Sequence, residues 1–221
     1  MNSKIRRAIF AAILTIPFLV AQPVPQLHAA SLTTEFNSNN GESGNMFDVV
    51  TLGGALTVTG FDLNLNTGSW NIEIYTRPGS WVGHNTSSAG WTLVDTIANV
   101  TSNGMNNHTF VDVTDFTLAA LSTTGLYITT TAPSSLAMLY TDGTAVGNTA
   151  AQNSDLQILE GAGIAYPFSD EFEPRVWNGT IYYATGAATP LPAALPLFAT
   201  GLGGLGLLGW RRKKKAVALG A

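Results

Sequence analysis

Asp170, Glu171 and Glu173 lie in the stretch SDEFEPRVW, the densest charged run in the body of this chain, just ahead of Arg175. Carboxylates this close together could supply oxygens to Ca²⁺, a hard cation that takes six to eight such ligands. The stretch lacks the alternating Asp-x-Asp-x-Asp loop with its glycine turn. A structural Ca²⁺ is therefore a weak candidate, and no other cofactor is expected. The competing reading makes Arg175 structural: it pairs with one of these acids, or with a distant acid, and pins the last strand. Arg77, beside Pro78 in a turn, is expected to be the more exposed base. Downstream of residue 30 the histidines are His84 and His108. Neither sits beside a G-x-S-x-G nucleophile signature, so both are expected as exposed strand or loop residues. No spacing selects a pair of glycosidase carboxylates. No catalytic residue is assigned and no enzyme is expected, a secreted hydrolase being the least favoured reading.

Aromatic side chains suggest a different chemistry. Trp81, Trp91, Trp177, Tyr140 and Tyr183 could stack on sugar rings. Aromatics at strand positions are more often core, and Trp91 and Trp177 are expected there. Trp81 follows the turn TRPGS and precedes Gly83, which makes it the expected exposed sugar platform.

The elements that must carry these residues are short. The segment from Ser31 to Ala184 is rich in Thr, Asn, Gly and aromatics, and no stretch of it holds a helical period. Alternating runs bounded by Gly, Pro, Asn and Asp recur instead. Strands are expected over Ala55–Asn66, Trp70–Thr76, Trp91–Ala98, His108–Val113, Gly125–Thr131, Ala137–Thr141, Asp155–Glu160 and Val176–Ala184, with a weaker one at Met46–Thr51. The expected fold class is all-β: an antiparallel β-sandwich, with a jelly roll as the leading form. In WNIEIYT, Trp70, Ile72 and Ile74 share one face and should be core. In LTVTGFDLNLN the apolar parity switches from Leu56 and Val58 to Phe61, Leu63 and Leu65, which predicts a bulge at Gly60. Residues 31–44 read as a polar arm or loop, and residues 143–154 as a long loop. The triplets at Asn85, Asn99, Asn107 and Asn178 match the N-glycosylation pattern, and chance explains them in so Thr-rich a chain.

The two ends read differently from the body. Residues 1–30 have a basic start (Lys4, Arg6, Arg7), an apolar stretch from Ala8 to Ala21, and small residues at Ala29 and Ala30 where signal peptidase would cut. At the other end, Ala193 to Trp210 is an uncharged, glycine-rich span. As a helix its 18 residues would extend about 27 Å, close to the hydrocarbon thickness of about 30 Å. Arg211, Arg212, Lys213, Lys214 and Lys215 follow it as a cytoplasmic stop. The expected domains are therefore a signal peptide (1–30), an exported body (31–184), a linker with its motif (185–192), a transmembrane helix (193–210) and a basic tail (211–221). Eight of the ten bases lie in the terminal segments, so the body holds 14 acids against Arg77 and Arg175, a net charge of −12. Such a body repels nucleic acid and anionic headgroups, and nucleic acid is excluded as a partner. The chain has no cysteine, which excludes a thiol nucleophile, disulfides and lipidation on cysteine.

The tail Thr189-Pro190-Leu191-Pro192-Ala193, the apolar span and the basic cluster together resemble the PEP-CTERM sorting signals of Gram-negative bacteria. The match is closest to the variant reading Val-Pro-Leu-Pro-Ala, with Thr189 in place of the Val. The resemblance implies an exosortase-type membrane enzyme as partner, cleavage near Pro190–Ala193, and release from the inner membrane to the cell surface or extracellular matrix. It also implies a setting in which exopolysaccharide is made. Phrases in the body (IEIYTRPGSWVG, GWTLVDT, GLYITTT and LQILEGAGIAYPFSDEFEPRVWNGTIYY) resemble a recurrent domain of secreted bacterial proteins that has no established activity. The expected function is a non-enzymatic structural or adhesive surface protein. The alternative is a carbohydrate-binding module for exopolysaccharide.

Overall fold

A computed structural model describes residues 28–133, 136–169 and 171–186. Among the described residues the chain is all-β, with strands β1 (His28–Thr33), β2 (Asn40–Glu42), β3 (Gly44–Thr51), β4 (Leu56–Asn64), β5 (Ser69–Pro78), β6 (Thr92–Thr101) and β7 (His108–Leu118). The second half adds β8 (Thr123–Thr130), β9 (Met138–Asp142), β10 (Thr149–Gln152), β11 (Leu156–Leu159), β12 (Gly161–Ile164), β13 (Glu171–Trp177) and β14 (Gly179–Thr185). One sheet runs β1-β14-β4-β7; the larger runs β2-β9-β13-β12-β3-β8-β5-β6, with β11 also on β3 and β10 on β11. These strands pair antiparallel, and the two sheets enclose a shared core, as in a β-sandwich.

The alternation of apolar residues decides which face of each strand is buried. Ile72 and Ile74 on β5 are fully buried, and Trp70 is half-buried against the same core. On β4, Leu56 and Val58 face the core, and so do Phe61 and Leu63. The expected bulge accounts for the change of parity: the register to β14 and to β7 shifts between Val58 and Gly60, leaving Thr59 as the extra residue. Phe47 stacks on Trp177 with ring centroids 4.6 Å apart. Phe61 of the facing sheet meets Trp177 edge-on at 6.1 Å, so Trp177 joins the two layers.

The structure differs from the sequence reading in the segments where polarity or glycine hid a strand. Residues 31–44 carry half of β1, all of β2 and the start of β3; residues 143–154 include β10. The expected single strand at 176–184 is the end of β13 and β14, one in each sheet, and the chain changes sheets at the fully buried Asn178. Its side-chain amide donates to Thr141 Oγ1 at 3.0 Å, while its Oδ1 accepts from Asn64 at 3.3 Å. These bonds satisfy a polar group that would otherwise be costly to bury. β12 reads GAGI because a β-carbon at Gly161 would run into the Met46 carbonyl, and one at Gly163 into the Tyr140 ring. β1 and β14 bring the two ends of the body together: His28 is opposite Thr185, and Ala29 opposite Ala184.

Candidate functional site

Several of the expected site residues lie outside the described residues: Asp170, the motif Pro190, Leu191, Pro192 and Ala193, the span 193–210, and Arg211 to Lys215. Glu171 opens β13 opposite Ile164. Glu173 is exposed on the same strand. Among the described residues no three His, Cys, Asp or Glu side chains gather as metal ligands. Arg175 finds the distant partner that one reading gave it: its Nη1 is 3.4 Å from Asp142, and its guanidinium lies over the Tyr140 ring at 5.7 Å. That pair ties β13 to β9.

The expected role of Trp81 as an exposed platform is corrected: its side chain is only 1% exposed. Gly79, at φ 78°, turns the chain back over β8, and Gly79 N donates to Thr123 O at 3.0 Å. The Trp81 amide then donates to the buried Asp48 carboxylate at 2.9 Å, and the indole packs with Met46, Tyr127, Ala162 and Ile164. Burial pushes the Asp48 carboxyl above its ordinary range, partly offset by hydrogen bonds from Ser80 and Trp81 and by Arg77. Trp91, expected in the core, is half-buried at the rim of this second cluster, with Arg77 5.8 Å above its ring. Tyr75 and Phe168 complete the rim. These residues form a packed satellite core on the outer face of the larger sheet.

The outer face of the four-stranded sheet holds a different arrangement. Asp62, Asn64, His108, Phe110, Asp112, Thr180 and Tyr182 occupy positions that alternate with the buried Phe61, Leu63, Val111 and Ile181. Asp62 is 4% exposed, although it points away from the sandwich core. Its Oδ2 accepts from the Tyr182 hydroxyl at 2.8 Å and pairs with His108 Nδ1, also at 2.8 Å. With a carboxylate as acceptor, Nδ1 carries the proton and donates; in the neutral ring Nε2 is then the acceptor nitrogen. The hydrogen bond to Asp62 is also the main reason the Tyr182 phenol is held above its ordinary pKa, with burial and the carboxylate charge adding to it.

A strap and an aromatic ring flank this carboxylate. Phe36, in the segment between β1 and β2, stacks on the His108 ring at 3.8 Å. The strap is tied at one end by Thr34 N to Gly179 O (2.9 Å) and at the other by Ser38 N and Oγ, both donating to Asn106 Oδ1 (2.9 and 2.7 Å). On the other side, Phe110 meets Tyr182 edge-on at 5.6 Å and is 57% exposed. A β-carbon on Gly60 would fall 2.9 Å from the Phe110 ring. The far edge of the Phe110 ring therefore leans over Gly60.

His108 is thus half-exposed, as expected, and also the partner of a buried acid. Among the described residues, no serine or threonine hydroxyl is hydrogen-bonded to its ring. His84 is exposed and contributes its carbonyl to Trp91 Nε1 at 2.9 Å. A signal for the outer face was present in the sequence. In HTFVDV, burying Thr109, Val111 and Val113 leaves His108, Phe110 and Asp112 outside.

No family model matches the chain, and no curated protein does. Among solved structures, a crystal structure of the infectious bursal disease virus VP2 subviral particle is similar at 14% identity, over 90% of this chain and 55% of that one, with a TM-score of 0.22. This chain thus spans about half the length of the viral one, and a likeness at that score carries no argument.

Proposed function

We propose that this protein is an exported exosortase-type substrate whose acidic β-sandwich works as a non-enzymatic structural or adhesive component at the cell surface or in the extracellular matrix. In this reading signal peptidase removes the N-terminal segment, and the span at 193–210 holds the body at the inner membrane, facing the periplasm. The membrane enzyme then cuts near Pro190–Ala193. The jelly-roll connectivity expected from the sequence belongs to the same proposal.

The observation that supports it is the pairing of β1 with β14. These strands run antiparallel with His28 opposite Thr185, so the chain enters and leaves the sandwich side by side at one end of one sheet. Paired Cα atoms in such a ladder lie about 5 Å apart. Both membrane-directed segments can therefore reach the same bilayer without either crossing the body, and two cuts free it. The cut expected after Ala29 or Ala30 falls within β1. Ser31, Leu32 and Thr33 keep their partners Tyr182, Ile181 and Thr180 after it, and the buried Leu32 anchors the shortened strand. The charge of −12 on the released body suits a setting free of nucleic acid and repels anionic lipid.

The test is to replace Pro190 and Pro192 by Ala together and follow the protein through inner-membrane, surface and medium fractions. Full-length protein retained in the inner membrane supports the reading. Unchanged release of a shortened form refutes it.

A further inference from the structure

We infer that the outer face of the four-stranded sheet, centred on Phe110, binds a neutral polysaccharide. Its identification with the cell's own matrix polymer rests on the surface location proposed above; the binding itself does not.

Three features of the face point to a sugar. The first is the attitude of the Phe110 ring. Its far edge leans over the side-chain-free Gly60, its plane stands at 72° to the Tyr182 ring, and more than half of its area remains open. Leaving a Phe side chain in water forgoes roughly 1.5–3 kcal/mol of burial. An aromatic ring this open offers an apolar surface on which the axial C–H face of a pyranose can rest. Leu121, at 77% exposed, is also open to water, but it sits at a turn without an organised surround.

The second feature is the set of polar groups at the ring's edge. Asp112 is exposed at the next outward position on β7, opposite Gly60. His108 is one outward position the other way, its side chain 52% exposed. Its Nδ1 is committed to Asp62, which fixes the ring and leaves Nε2 to hydrogen-bond with a sugar hydroxyl, a group that both donates and accepts. An acceptor carboxylate and an oriented imidazole flanking an apolar ring fit the hydroxyls that surround a sugar's apolar face. The Asp62 carboxylate beneath them holds Tyr182 and His108 in position, so the face is preorganised.

The third feature is charge. The two bases among the described residues, Arg77 and Arg175, are both on the larger sheet. The four-stranded sheet carries Asp62, Asp112 and Asp115 and no Lys or Arg. Uronate or sulfate groups would meet like charge here with nothing to pair with. A neutral hexose or pentose polymer meets no such penalty.

The experiment is affinity electrophoresis of the full-length protein in detergent, in gels cast with dextran, laminarin, xylan, galactomannan or alginate. Retardation is expected with at least one of the four neutral polymers; any retardation by alginate, which the basic run 211–215 of the full chain can attract, should be unaffected by Phe110→Ala. Phe110→Ala should weaken that retardation about tenfold, which corresponds to about 1.4 kcal/mol. Leu121→Ala should leave it unchanged. Because Phe110 is exposed, the melting temperature of Phe110→Ala should stay within a few degrees of the wild type, so loss of binding is not loss of fold. Absence of retardation by every neutral polymer, retardation by a neutral polymer that is insensitive to Phe110→Ala, or alginate retardation that Phe110→Ala abolishes overturns the inference. None of these results depends on where the cell sends the protein, so a failure here is distinguishable from a failure of the export reading.

Discussion

Asp62→Ala should destabilise the body by about 1.5–3 kcal/mol, although the side chain points away from the sandwich core. Hydrogen bonds to a charged group contribute about 1.5–3 kcal/mol each when buried, and Asp62 accepts two at 2.8 Å, from Tyr182 and His108. Both donors are partly open to water and recover some solvation when the acceptor is lost, so roughly half of the summed value should be realised. In a domain of about 150 residues 1 kcal/mol shifts the melting temperature by roughly 2–4 °C, so a drop of about 5–10 °C is expected. The alternative is that burying an ionised carboxylate at 4% exposure costs more than its two bonds return. In that case Asp62→Asn, which keeps an acceptor and loses the charge, would raise stability. The assay is urea unfolding of wild type, Asp62→Ala, Asp62→Asn and Tyr182→Phe, with the Asp62→Ala/Tyr182→Phe double variant closing the cycle. Spectrophotometric titration adds an independent readout: the Tyr182 phenol should move back toward its ordinary pKa in both Asp62 variants. A change under 0.5 kcal/mol in Asp62→Ala, additivity with Tyr182→Phe, or a more stable Asp62→Asn would refute the reasoning.

Trp81→Ala should cost about 3–5 kcal/mol, as for a large core truncation, and chemical denaturation would show it; an unchanged midpoint would mean the indole is not buried. Gly161→Ala sets a β-carbon against the Met46 carbonyl, a rigid backbone atom, and should lower stability by about 3 kcal/mol or more, read from the melting temperature. Asp48 has a folded pKa above its unfolded value, so its ionisation opposes folding and its contribution to stability is lost as pH rises through the carboxylate range. Asp48→Asn, which keeps an oxygen to accept from the Trp81 amide, should therefore gain stability relative to wild type between pH 4 and pH 7; melts across that range that run parallel for the two proteins would contradict this.

The parts of the fold legible in the sequence are those where one face of a strand is apolar and the other is not. The alternation in β5 and the parity switch at Gly60 each place side chains correctly, because a half-buried strand must keep a period of two or gain a residue. β12 was not legible, because its glycines make room for Met46 and Tyr140 and so carry no pattern of their own. β1 and β2 were hidden for a related reason: edge strands of three to six residues can be largely polar. The join at Asn178 escaped because a buried asparagine looks like a turn residue until Thr141 and Asn64 are seen to satisfy it. Trp81 was misplaced by reasoning from the chain on either side of it. A residue after a Pro-Gly turn is exposed only if the chain then leaves the protein, and here it folds back under the pull of the Asp48 carboxylate. The outer face around Phe110 depended on partners 36 and 182, far away in sequence, although the alternation in HTFVDV already marked one strand of it.

The most direct test of the account is the intact mass of the surface-associated protein, isolated from the native cell. The account predicts a chain that starts at Ala30 or Ser31 and ends near the Pro190–Ala193 motif, lacking the apolar span and the basic cluster. A surface-associated form that still carries residues through Ala221 would contradict it.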